Sequence, residues 1–192
     1  MYMGMKVLMR GGVAVPSAES VFVVERSLPH GHVAAVLGAA RGSGSNNWFA
    51  TAPADLQPVL QAMLVARLLE PASKLATHRM LHDDTATSTL GRVLGVGQCS
   101  ADDLYRALDW LHDAQAGIER RLARQHLVGS TLVLYDLTST WLTGRCCVLA
   151  ARGHSRDGKR DDPQIVFGLI CSGEGCPIAV EVFPGKIGRA HV

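Results

Sequence analysis

The chain has 192 residues, 19 Lys+Arg against 17 Asp+Glu for a net charge of +2, and 47% hydrophobic content, which excludes extensive disorder and fits one domain or parts of two. Its longest apolar-leaning stretch, Pro58 to Leu69, contains Gln61 and Arg67 and falls short of the roughly 18 consecutive apolar residues of a membrane span. The opening MYMGMKVLMRGG lacks a long apolar segment, so no secretory signal and a cytoplasmic location with five reduced cysteines are expected.

Residues 1–19 show no periodicity and read as a poorly ordered or misassigned start. Ser20 to Arg26 (SVFVVER) reads as a short strand rich in β-formers. Beyond Pro29 the pattern turns helical. Val33, Val36, Leu37 and Ala40 share one helix face, and Arg41 to Asn47 (RGSGSNN) reads as a loop. A second helix is predicted over Thr51 to Glu70, with Pro58 either near its start or at a kink. Pro71 restarts helix over Ala72 to Leu81, and a shorter one is expected within Thr85 to Val96 before the glycine turn at Gly95 and Gly97. The strongest helix begins after Ser100. Ser100 and Asp103 have capping-box spacing, and Asp102 and Asp103 complement the helix dipole. Leu104, Ala107, Leu108, Leu111, Gln115, Ile118 and Leu122 then recur at three- and four-residue steps, and the second half turns basic at Arg120, Arg121 and Arg124.

At Gly129 the period changes. Ser130 to Thr138 (STLVLYDLT), Gln164 to Ser172 (QIVFGLICS) and Cys176 to Phe183 (CPIAVEVF) read as strands, the last two joined as a hairpin through Gly173-Glu174-Gly175. Residues 144–163 form a polar basic loop. The layout is therefore α+β: helices for about 100 residues, then a β-meander. An exposed third strand would be an edge liable to aggregate, and residues 129–192 alone are expected to be poorly soluble.

Asp136 is the most informative position. A carboxylate inside an apolar strand is costly unless paired or metal-bound. Two readings stay open: an Asp near a strand end bonded to backbone or to Ser139 or Thr140, and a metal ligand projecting from a strand. The loop cations Arg145, Arg152, Arg156, Lys159 and Arg160, against Asp157, fit either phosphate contact or a solvated surface. Cys146, Cys147, Cys171 and Cys176 lack the Cys-x₂-Cys spacing of a zinc site and read as incidental thiols. His78 and His82 form an i,i+4 pair without a third ligand. Gly91 to Gly97 lacks the Gly-Lys-Ser/Thr of a phosphate-binding loop.

The run from Tyr135 to Gly185 resembles bacterial insertion-sequence transposases of the DDE class, most closely the insertion-sequence-four-like superfamily. The resemblance is carried by Tyr135-Asp136-Leu137-Thr138-Ser139, Gly153-His154-Ser155-Arg156-Asp157-Gly158-Lys159, Gln164-Ile165-Val166-Phe167-Gly168-Leu169 and the hairpin Glu174 to Phe183. Upstream, Ser27-Leu28-Pro29-His30-Gly31-His32-Val33, Pro71-Ala72-Ser73-Lys74-Leu75-Ala76 and Asp102 to Leu111 extend it over residues 20–186.

The resemblance implies a mainly helical, DNA-binding region over 20–128 and, over 129–186, the first antiparallel strands of a ribonuclease H-like catalytic domain, incomplete. It implies metal-dependent cutting and joining of DNA at insertion-sequence ends, with target DNA as second partner, a homo-oligomeric intact enzyme in the bacterial cytoplasm, and no membrane. Three carboxylates there hold two Mg²⁺ (or Mn²⁺) ions, and Asp136 takes the place of the first. Two hard cations about 3.5–4 Å apart activate the attacking oxygen and stabilise the leaving one. The later Asp and Glu of the family pattern have no counterpart here, so this chain is expected to be inactive by itself. Residues 187–192 (Ile-Gly-Arg-Ala-His-Val) are what a common sequencing adapter encodes when read in frame, and are expected to be an adapter-derived tail. The alternative is a non-enzymatic helical DNA-binding or oligomerisation module derived from a transposase.

Overall fold

A computed structural model describes residues 25–42, 48–127, 133–143, 146–152 and 162–185. Among the described residues, five helices precede a three-stranded antiparallel sheet: α1 (Gly31–Gly42), α2 (Gln57–Leu69), α3 (Lys74–Leu81), α4 (Leu90–Leu94), α5 (Ala101–His126), β1 (Val133–Trp141), β2 (Gln164–Ser172) and β3 (Pro177–Pro184). The chain is thus mixed α+β. Its contacts divide it into two units, Met1–Leu108 and Asp109–Val192, with the division inside α5.

In the first unit α2 is the central helix, packing against α1, α3 and α4. Val59, Leu60, Ala62, Met63, Val65 and Ala66 are its buried residues, a wide apolar face that only a surrounded helix can bury. Pro58 stands in its first turn, where a missing N–H costs nothing, so it starts the helix rather than kinking it. Ser73 caps α3, its hydroxyl accepting from the Ala76 N–H at 3.3 Å. The short helix expected within Thr85 to Val96 is Leu90–Leu94, ending on Gly95 in the left-handed region at φ 69°. Residues ahead of it are held as turns instead. The Arg26 guanidinium donates to the carbonyls of Asp83 (2.8 Å), Asp84 (3.0 Å) and Ala86, drawing three backbone acceptors toward one planar donor group. Of the strand read over Ser20 to Arg26, only Glu25 and Arg26 lie within the described residues, and they carry no regular structure.

The expected cap of α5 is present in full. The Asp103 carboxylate accepts from the Ser100 N–H (2.9 Å) and hydroxyl (2.8 Å), and the Ser100 hydroxyl accepts from the Asp103 N–H (3.2 Å). Arg106 bridges Asp103 (2.9 Å) and Asp55 (3.0 Å), both pairs exposed and therefore weak.

In the second unit, β1 pairs with β2 from Val133↔Ser172 to Trp141↔Gln164, and β2 pairs with β3 from Ile165↔Pro184 to Cys171↔Pro177. β2 occupies the range the sequence predicts. β1 runs to Trp141, past the expected end at Thr138, because the β-formers Thr140 and Trp141 continue the ladder opposite Ile165 and Gln164. The hairpin turn holds Gly175 at φ 82°, a conformation that favours glycine. In β2, a Cβ at Gly168 would run into the Tyr135 and Phe183 rings, which lie over the backbone from the two flanking strands. That packing accounts for a glycine inside a central strand.

Ser100 hydrogen bonds hold the Asp103 carboxyl below the ordinary range. A carboxyl lowered by folding stabilises the fold above its unfolded value, about 3.9, and loses that contribution as pH falls through the lowered folded value. Asp103→Ala is expected to cost about 1 kcal/mol in urea unfolding at pH 7, and the gap between variant and parent is expected to close in strong acid. An equal gap at both pH values would contradict the cap.

Candidate functional site

Registered residues of an antiparallel pair put their side chains on the same face of the sheet. One face of the second unit therefore carries Asp136, Thr138 and Thr140 of β1, with Leu169 and Phe167 of β2 and Val180 and Val182 of β3. The other carries Tyr135, Leu137, Ser139 and Trp141. Part of α5 lies on the Asp136 side: a groove of about 390 Å³ separates it from the strands, lined by Leu111, Ile118 and Leu122 of the helix and by Leu169, Ile178 and Val180 of the sheet.

Across that groove the helix is tied to the sheet by polar contacts. Gln115 Nε2 donates to the Val180 carbonyl at 2.9 Å, and the Val180 N–H donates to Glu119 Oε1 at 3.1 Å. Gln115 Nε2 also lies 2.9 Å from Glu119 Oε1, which orients the pair. Two backbone groups of a strand that has β2 on only one side are thereby satisfied by side chains one helical turn apart. The outer edge of β3 is thus engaged at Val180, while Val182 on the same strand is exposed, as expected of an edge. The sequence registered Gln115 only as part of the helical repeat. The polar i,i+4 pair Gln115 and Glu119 within an apolar stripe was the available signal.

Asp136 stands opposite Leu169 and is exposed. Among the described residues it has no hydrogen-bond or ion-pair partner, and neither Ser139 nor Thr140 binds it. The sequence reading assumed a sheet interior, where an unpaired carboxylate is costly. β1 is instead an outer strand in the order β1-β2-β3, so water solvates the carboxylate and the burial penalty is absent.

Of the basic loop, Arg152 is described and exposed; Arg145, Arg156, Lys159 and Arg160 lie outside the described residues. Arg152 follows Ala151, which pairs with Gln164 at the Trp141 end of the sheet. Asp136 is five residues back along β1, roughly 17 Å of strand. The structure does not bring Asp136 and Arg152 together. His78 and His82 are otherwise engaged. His78 Nε2 is 3.0 Å from the Cys99 carbonyl, and His82 Nδ1 is 3.8 Å from the Asp84 carboxylate. The five cysteines are free thiols, and burial, with Asp103 nearby, pushes Cys99 up. Among the described residues no three His, Cys, Asp or Glu side chains gather as a metal site. No helix of the described residues is long and apolar enough to cross a membrane. No protein-family model, curated protein or solved structure matches the chain.

An exposed side chain without partners contributes little to stability. Asp136→Ala is expected to shift the unfolding free energy by less than about 0.5 kcal/mol. Glu119→Ala, which leaves the Val180 N–H without its acceptor, is expected to cost about 1–2 kcal/mol. Equal costs in parallel denaturant titrations would contradict this division.

Proposed function

We propose that this chain is part of a metal-dependent DNA transposase of the insertion-sequence type, in which β1 opens a ribonuclease H-like domain and Asp136 is the first acidic metal ligand. The observation that carries the proposal is the position of Asp136: an exposed carboxylate, without a partner among the described residues, on an outer strand of an antiparallel meander and within the segment that resembles the transposases.

The sheet offers a physical reason for the assignment. The outer edge of β3 is engaged at Val180 by Gln115 and Glu119. Among the described residues nothing covers the outer edge of β1 in the same way. A further strand would add beside β1, and a carboxylate registered with Asp136 would have its Cβ about 4.5–5.5 Å away, near enough to share a cation. A strand also holds a ligand more rigidly than a loop does. Divalent cations bound by such carboxylates activate the attacking oxygen and stabilise the leaving one in phosphodiester exchange. The described residues fit one ligand of that set, a hard oxygen donor suited to Mg²⁺. Asp136 thus contributes charge and orientation, while chemistry awaits carboxylates from further chain.

A second reading is a DNA-binding or oligomerisation module without catalysis. One experiment separates the two. In a protein extended through the downstream reading frame, Asp136→Asn is expected to lower Mg²⁺-dependent strand transfer by roughly a hundredfold or more, at or beyond the 10–100-fold loss typical of supporting residues, with DNA binding retained. Undiminished strand transfer by the variant would exclude Asp136 as a ligand. Absence of strand transfer from the extended parent would favour the module.

A further inference from the structure

We infer that His78 and His82 form a two-imidazole site for Zn²⁺ or a similar borderline divalent transition-metal ion at the C-terminal end of α3. The site stands apart from the transposase reading, whose Mg²⁺ ions seek carboxylate oxygens rather than imidazoles.

Both residues belong to the first unit and close α3. His82 follows the last residue of the helix, yet its N–H still donates to the His78 carbonyl at 2.9 Å. The i,i+4 relation of a helix therefore reaches His82, and side chains so spaced share one face. The two rings lie 5.6 Å apart between centroids and are tilted by 49° rather than stacked. Two imidazole nitrogens each about 2.0–2.1 Å from one ion put the ring centres roughly 5–6 Å apart at tetrahedral or wider angles. The observed spacing falls in that range. Both residues are partly exposed, so an ion can reach them from solvent.

One nitrogen of each ring is engaged, which sets the role of the other. His78 Nε2 lies 3.0 Å from the Cys99 carbonyl. A carbonyl only accepts, so Nε2 carries the proton and Nδ1 keeps a lone pair. At His82 the Asp84 N–H (3.4 Å) and carboxylate (3.8 Å) both lie at Nδ1. In the tautomer whose Nδ1–H faces the carboxylate, Nε2 holds the lone pair. A carbonyl behind one imidazole and a carboxylate beside the other are the partners that orient ligating histidines. The Cys99 carbonyl is itself fixed. The Cys99 N–H donates to the Val96 carbonyl at 3.0 Å, and the Asp83 N–H donates to the Gly97 carbonyl at 2.9 Å. The Asp83 carboxylate is occupied by Gln98, which donates at 2.7 Å. Burial, with Asp103 nearby, pushes the Cys99 thiol up and keeps its sulfur protonated. Among the described residues no third side chain gathers as a ligand, so water completes the shell.

The test is calorimetric titration of the full chain with Zn²⁺ at neutral pH, in the parent and in a Cys146→Ser/Cys147→Ser background that removes the adjacent thiols. That background should bind one Zn²⁺, and bound ion should raise its thermal midpoint by a few degrees, because the ion binds only the folded site. Mg²⁺ at equal concentration should leave the midpoint unchanged. His78→Gln or His82→Gln in the same background should each weaken binding tenfold or more, whereas His112→Gln should not change it. A second measurement needs no substitution: in the unaltered chain, Zn²⁺ should shift the ring nitrogen resonances of His78 and His82 ahead of those of the other histidines among its eight. Parent-like affinity in either single glutamine variant would overturn the site. So would loss of all binding in the serine background, which would assign the ion to thiols, or resonance shifts confined to other histidines.

Discussion

The second unit depends on how one backbone amide and one carbonyl are satisfied. Val180 lies in β3, an outer strand, and its N–H and carbonyl are met by Glu119 and Gln115 of α5 rather than by another strand. Unpaired edges recruit other strands. At Val180 helix side chains occupy the backbone groups that a further strand would use. The same bonds hold α5 by its Gln115–Glu119 side, which fixes the face turned away. The catalytic proposal for Asp136 draws on that arrangement.

The first unit rests on a different constraint. α2 is buried along most of its length and the other helices pack around it. Its neighbours are positioned by polar contacts to backbone at their ends. His30 Nδ1 meets the Thr89 hydroxyl at 2.8 Å, while the Thr89 N–H donates to the Pro29 carbonyl at 3.1 Å, joining the start of α1 to the turn before α4. Thr85 and Arg26 tie the preceding turn in a similar way. The Pro29-His30 segment, part of the resemblance to transposases, thereby has a structural role: it anchors a helix start.

Much of this was legible in the sequence because the signals were local. The cap at Ser100 and Asp103 spans four residues, the hairpin needs Gly173 to Gly175, and the β2 ladder follows from a run rich in β-formers. The signals that failed were those set by distant partners. The short helix within Thr85 to Val96 was legible, but the turns ahead of it were not: Arg26, some 60 residues earlier, donates to their carbonyls. Asp136 looked buried because Leu132 to Thr138 is apolar; its solvation follows from the place of β1 in the strand order, which periodicity does not encode. Gln115 and Glu119 were indistinguishable from ordinary polar residues on a helix until Val180 lay beside them. At the candidate site the residue type at Asp136 was readable, whereas Arg152 lies at the far end of β1 from it, a separation that loop composition cannot express.

The most direct measurement is to sequence the genomic locus across the 3′ end of this frame. If β1 awaits a further acidic strand, the frame continues past Lys186 into a strand bearing an Asp and, beyond it, a helix bearing a Glu. Genomic DNA that encodes Ile187 to Val192 followed directly by a stop codon would contradict a catalytic role for Asp136 and leave DNA binding as the activity to pursue.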